Sequence, residues 1–345
     1  MQGRTRRPLI IGLVLGGLLL IVLVAVAVVV FDRLAALAQA EAASTALENA
    51  VDGVADEIRD AGAASLSADS PLLPPGEVAL VIDGWQTATD LAGGAPELLE
   101  SPEPFWGSEI RQFADERNAL ADDLTAADVE LEDRLDDLVA AMAITGAEFD
   151  AAHFEAENQP RIAFREALTA ITEHQDVLAV TLAPYVAAGD ALVASHEEEL
   201  AEKAGPLFDL RMAAENFARS MSGGVMLEFD WAPLVNGYGD GGSYGGTSYW
   251  VSDHGGYATI TLSDSVAEFW PGAGVQALVA HEVDHAILSR PDCYHLFFDS
   301  ALYAGEEESW ATAWAIGNGY TADGSGESIY GRPSDALIAL SQQCR

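Results

Sequence analysis

The chain has 345 residues, half of them apolar, and 55 acidic side chains against 16 basic ones give it a formal charge of −39. So large an acidic excess argues against nucleic-acid binding, which needs clustered Lys and Arg on phosphates, and against docking of the bulk of the chain on an anionic membrane surface. Solubility and self-repulsion are its main consequence, with a preference for basic or neutral peptides as a secondary expectation.

Arg4, Arg6 and Arg7 precede Leu9–Phe31, a run of 23 residues without a charge. At about 1.5 Å per residue a helix of that length crosses about 30 Å of hydrocarbon, and the flanking arginines favour a cytoplasmic N-terminus. Residues 1–31 are therefore expected to be a cytoplasmic tail and a single transmembrane anchor in the cell membrane, with all that follows extracytoplasmic. Ala38-Gln39-Ala40 has the small-residue character of a signal-peptide cleavage site. A secretory signal, however, has an apolar core of only about 7–15 residues, which favours a retained anchor; either reading exports the rest.

Asp32–Asp60 is Ala-rich and carries Leu47, Val51, Val54 and Ile58 at steps of four, three and four, a coiled-coil-like seam suited to helical self-association. Gly62–Gly76, with three Ser and three Pro, predicts a linker. Residues 77–92 predict a short helix, ended by Gly93-Gly94, Pro96, Pro102 and Pro104. From Ser108 to about Ala204 the composition is helical again. Ile110, Phe113, Leu120, Leu124, Leu131, Leu135 and Leu138 mark one side of a long helix that Gly146 is expected to close, and Pro160 and Pro184 start or kink later ones. Residues 32–210 are accordingly expected to be an α-helical stalk or antiparallel bundle, with acidic runs such as Glu130–Asp133 and Glu197–Glu199 on solvated faces. His153 and Glu157 lie one helical turn apart but bring no third donor for a metal.

Composition changes near Ser220. Val225–Trp231, Ser248–Val251 and Tyr257–Leu262 predict three short strands, and Asn236–Gly246 between the first two holds six glycines. One edge of such a sheet could receive an extended peptide as an added strand. No phosphate loop, dinucleotide fingerprint, nucleophilic-Ser elbow or internal repeat is present. Val275–Leu288 then carries apolar residues at 275, 278, 279, 283, 286 and 287, a helix with one buried side.

That helix holds His281-Glu282-Val283-Asp284-His285. Residues four apart on a helix share a face, so His281 and His285 can hold one Zn²⁺, while Glu282 on the adjoining flank can act as general base. A third ligand should come from another element. Glu306-Glu307-Glu308 opens a second helix on which Glu308, Ala311, Thr312 and Ala315 form one stripe, small enough for close approach, so Glu308 is the expected ligand. Two imidazoles and a carboxylate leave a fourth position open, the pattern of a catalytic zinc rather than a structural one.

With these residues the chain resembles the gluzincin, or thermolysin-like, zinc metallopeptidases, over roughly residues 225–320. The resemblance implies metal ligation by His281, His285 and Glu308 and general-base chemistry by Glu282. This chain departs from the usual pattern at Asp284, where an uncharged residue commonly precedes the second His, and at Thr312, four after the Glu ligand, where Asp or Asn is common.

Cys293 and Cys344 are the only cysteines. In an exported domain they are expected to pair, closing a loop whose chain-entropy effect is on the order of 3–4 kcal/mol. The fold expected is α+β: an N-terminal transmembrane helix, a mainly α-helical stalk or bundle, and a small zincin-like domain over 211–345 with a short β-sheet. The function expected is that of a membrane-anchored, extracytoplasmic zinc peptidase acting on a peptide or protein substrate through metal-activated water. The alternative is a non-catalytic sensor or assembly protein whose C-terminal domain is a zinc-stabilised or degenerate binding module. Tyr294, His295, Tyr303, Tyr330 and His254 are candidate oxyanion donors.

Overall fold

The computed structural model describes residues 7–101, 104–173, 178–251, 256–303 and 305–344. Arg4, Arg6, Pro102 and His254, which entered the reading of the sequence, lie outside them. The described chain is mostly helical with one three-stranded sheet, and it divides into two compact units.

The first unit comprises residues up to Glu148 together with Ala167–Val186. It holds α1 (Arg7–Gly53), α2 (Ala55–Leu66), α3 (Pro75–Glu100), most of α4 (Gly107–Ala152), and parts of α5 (Asn158–Glu173) and α6 (Leu178–Glu202). The N-terminal half of α1 is long and apolar enough to cross a membrane, and its apolar side chains from Leu18 to Phe31 are exposed all round. Further along, Ala36, Ala40 and Ala43 are buried against Ile110 and Ala114, the small side chains letting two helices close up. Leu47 and Val54, expected to form a seam for self-association, are buried within the chain itself. α6 is also long and apolar enough to span a membrane, but Leu178, Leu182, Tyr185 and Leu192 are buried, as in a core helix.

Two expected breaks are absent. α3 continues through Gly93-Gly94 and Pro96 to Glu100, with Ala88 and Ala95 buried on its inner side. α4 continues past Gly146 because that glycine serves close packing and not chain reversal. A Cβ there would come 2.8 Å from the Tyr185 hydroxyl and 2.9 Å from Leu168. The start of α6 is capped from afar, its Leu178 and Ala179 amides donating to the Asp60 carboxylate at 3.2 and 2.8 Å.

The second unit takes in Phe149–Glu166 and Ala187–Arg345, so part of the region expected as the stalk belongs with the C-terminal residues. After α7 (Phe208–Met221) come β1 (Met226–Ala232), β2 (Gly246–Trp250), β3 (Tyr257–Ser263), α8 (Asp264–Glu268), α9 (Ala273–Ile287), α10 (Pro291–Phe298), α11 (Glu307–Gly317), α12 (Glu327–Tyr330) and α13 (Asp335–Ser341). The sheet order is β1-β3-β2, with β1 parallel and β2 antiparallel to β3, in register from Met226 opposite Tyr257 and Gly246 opposite Leu262. Alternate residues Leu227, Phe229, Ala258, Ile260 and Leu262 point into a core shared with α9 and with Trp310 and Trp314 of α11. Cys293 and Cys344 are bonded, tying the C-terminal end to α10.

A buried ionic cluster joins α6, α7 and β1. Lys203, the one lysine of the chain, lies 2.9 Å from Glu155 and 3.2 Å from both Glu199 and Glu215. Arg219 pairs with Glu155 and Glu215, and the Trp231 indole donates to Glu215 at 2.7 Å. Three carboxylates face two cations. Burial, with Glu155 beside it, pushes Glu215 up to about 7 against the pull of Lys203 and Arg219. Burial also opposes ionisation of Glu155, but the hydrogen bond from Glu215 and the two cations outweigh it and hold that group low.

Candidate metal centre

α9 is buried almost all round, not on one side as its apolar spacing suggests, because the sheet, α7 and α11 all pack on it. His281, Glu282, Asp284 and His285 are therefore polar groups inside a core. Such groups persist only where something compensates their lost hydration. For the two histidines that partner is Glu308 in the first turn of α11. Ala311, Thr312 and Ala315 of the same helix are fully buried, as the stripe of small residues implied.

Glu308 Oε2 lies 2.9 Å from His281 Nε2 and 3.4 Å from His285 Nε2. One donor atom from each of the three residues lies within 4.8 Å of the others, the one such trio of metal-binding side chains among the described residues. A tetrahedral site with metal–ligand bonds of about 2.0–2.1 Å has donor atoms about 3.3 Å apart, so these separations fit a zinc-sized ion. His281 Nδ1 lies 3.0 Å from the Ser325 carbonyl, to which it donates. Its Nε2 therefore needs a second proton or a cation to face a carboxylate. Donation from Nδ1 to a backbone carbonyl is also what orients a metal-ligating imidazole.

The electrostatics are those of a tight cluster. Hydrogen bonds from His281 and His285 hold Glu308 well below the usual carboxylate range, although burial opposes this. Burial disfavours a charged His285, but the hydrogen bond to Glu308 and the nearby Glu282, Glu308 and Asp284 outweigh it and raise its pKa to about 9. Burial raises Glu282, with the two histidines pulling the other way. Asp284 is pushed up to about 8 by burial, with His285 and the Trp310 indole pulling the other way. The residue that departs from the gluzincin pattern thus sits in the core. Thr312, the other departure, is fully buried with its hydroxyl unpartnered; the orienting contact to His281 comes instead from Ser325.

The trio opens on a cleft of about 340 Å³. The edge strand β2 lines it with Gly246, Thr247, Ser248 and Trp250, and Glu282, Gly326 and Tyr330 line it as well. Two glycines are required by this closeness. A Cβ on Gly246 would come 2.7 Å from Glu282 Cγ and 2.9 Å from its carboxylate. Gly326 has φ +91° and faces the His281 ring and Thr312, so a side chain there would be both strained and in collision.

Of the candidate oxyanion donors among the described residues, one reaches the site. Tyr330 stacks on His281, ring centroids 6.0 Å apart and 12° from parallel, and burial with the neighbouring Glu308 raises its pKa to about 12. Tyr294 packs on Trp250 and Phe298, Tyr303 packs on Phe297 and Phe298, and His295 is exposed beside Asp299. Glu306 is exposed and Glu307 lies at the cleft margin. His153, offered as half of a second site, bonds to the Phe149 carbonyl and does not join a metal-binding trio among the described residues. Tyr238, Tyr244 and Ser325 were missed by the reading of the sequence. The Gly-rich loop and the Gly324–Gly326 turn that carry them were its only trace.

Comparisons with protein-family models, with curated proteins and with solved structures find no match for this chain.

Proposed function

We propose that the protein is a zinc-dependent peptidase, anchored in the cell membrane by α1 with its N-terminus cytoplasmic and its site outside. The observation that carries this reading is the convergence of His281, His285 and Glu308 beside a buried Glu282, all facing a cleft with an edge strand as its wall. The donor set of two imidazoles and one carboxylate favours zinc and leaves a coordination position free. Bound there, zinc would polarise a scissile carbonyl and acidify a water molecule.

The chain's own residues would do the rest. The free edge of β2 receives an extended peptide through main-chain hydrogen bonds, with Tyr249 exposed outside the cleft. Glu282 accepts the water proton and returns it to the leaving amine, and the lack of a side chain at Gly246 leaves room for that carboxylate beside β2. Tyr330, as a neutral phenol, donates a hydrogen bond to the developing oxyanion.

Cleavage of a peptide library by the full chain in detergent, with and without Glu282→Gln, tests the proposal. The variant should keep its metal and lose about 10²–10⁴-fold in rate, the range for a general base. Equal cleavage by both proteins would refute the assignment. Metal binding without cleavage by the unsubstituted chain would support the alternative of a zinc-stabilised binding module.

A further inference from the structure

We propose that Phe105 and Trp106, with Phe31 and Arg33, form a second membrane contact, an aromatic patch seated in the headgroup layer of a zwitterionic bilayer. The proposal rests on reading α1 as a membrane anchor.

The apolar run of α1 ends at Phe31 and is followed at once by Asp32 and Arg33. The first turn of α4 is docked at this level. A Cβ on Gly107 would collide with the Asp32 carboxylate, and Arg111 Nη1 donates to Asp32 Oδ1 at 2.9 Å. One turn further along, Ile110 and Ala114 bury against Ala36 and Ala40. Phe105 and Trp106 immediately precede Gly107 and so stand level with the end of the apolar run. They meet edge to face, centroids 5.0 Å apart, and the Arg33 guanidinium lies 4.6 Å from the Phe105 ring.

Despite these contacts the rings remain open, Phe105 60 % exposed, Trp106 56 % and Phe31 73 %. Three large aromatics in water at one spot are unfavourable, whereas a membrane interface takes up their apolar faces, leaves the indole N–H among headgroups and lets arginine extend to water. Among the described residues, Asp32 and Glu109 balance Arg33 and Arg111 around the rings. That fits zwitterionic headgroups better than anionic ones. The rings would fix the depth and rotation of the first unit at the bilayer, which a single spanning helix leaves free.

The test uses the full chain in phosphatidylcholine vesicles with its disulfide intact. A fluorophore is attached to one added thiol at a time, in Trp106→Cys, in Val24→Cys within the apolar run, or in Leu66→Cys, an exposed site at the end of α2. Lipids quench either deep in the acyl chains or near the headgroups. The deep quencher should reach position 24, and the shallow one should quench position 106 at least roughly two-fold more than position 66. Quenching at 24 with position 106 no different from 66 overturns the aromatic contact alone. No quenching at 24 overturns the anchor reading, and this contact with it.

Discussion

Tyr330 lies against both a histidine and the carboxylate of the candidate trio, yet is not one of its three donors. If its hydroxyl steadies the oxyanion, Tyr330→Phe should lower kcat by about 10²–10³ while KM and zinc content change little, the pattern of an interaction made only in the transition state. Loss of zinc in place of kcat would make it a packing residue. The trio itself was legible in the sequence because helical spacing carries it. His281 and His285 are four apart, and Glu308 was chosen over its neighbours by the small residues one and two turns on, which are buried as that choice requires. Ser325 and Gly246 were not legible. Their roles come from a loop 44 residues after His281 and a strand 36 before Glu282, and no local period reports a contact across such distances.

The strands illustrate the same division. All three were foreseen from β-branched and aromatic runs, but their order, with β3 central and β2 at the cleft, depends on pairing that composition does not specify. Glycine misled twice. At Gly93-Gly94 and Gly146 it was read as a stop, whereas in α4 it is the residue that admits Tyr185 and Leu168. The buried Lys203 cluster was equally hidden, since acidic runs such as Glu197–Glu199 were read as solvated and Glu199 is buried against Lys203. That cluster makes a pH prediction. Glu215 has a folded pKa of about 7, above its usual 4.5, so its native state binds the extra proton and its contribution is complete below about pH 4.5 and lost as pH rises through 7. In urea titrations Glu215→Gln should therefore reduce the loss of stability between pH 5 and 8. An unchanged pH dependence would remove Glu215 from this role.

For the molecule as a whole, the second unit contains the sheet, the candidate metal centre and helical segments 149–166 and 187–210, joined by the ionic cluster around Lys203. The metal centre therefore belongs to a unit that begins well before residue 211, and its function is best assayed in the full chain. The central claim is that three residues from two helices hold one zinc ion. Zinc per chain, measured after exhaustive dialysis of the purified protein, tests it most directly. One equivalent is predicted for the chain and for Glu282→Gln, with loss in each of His281→Ala, His285→Ala and Glu308→Ala. No zinc in the unsubstituted protein, or zinc that survives all three substitutions, would contradict the account.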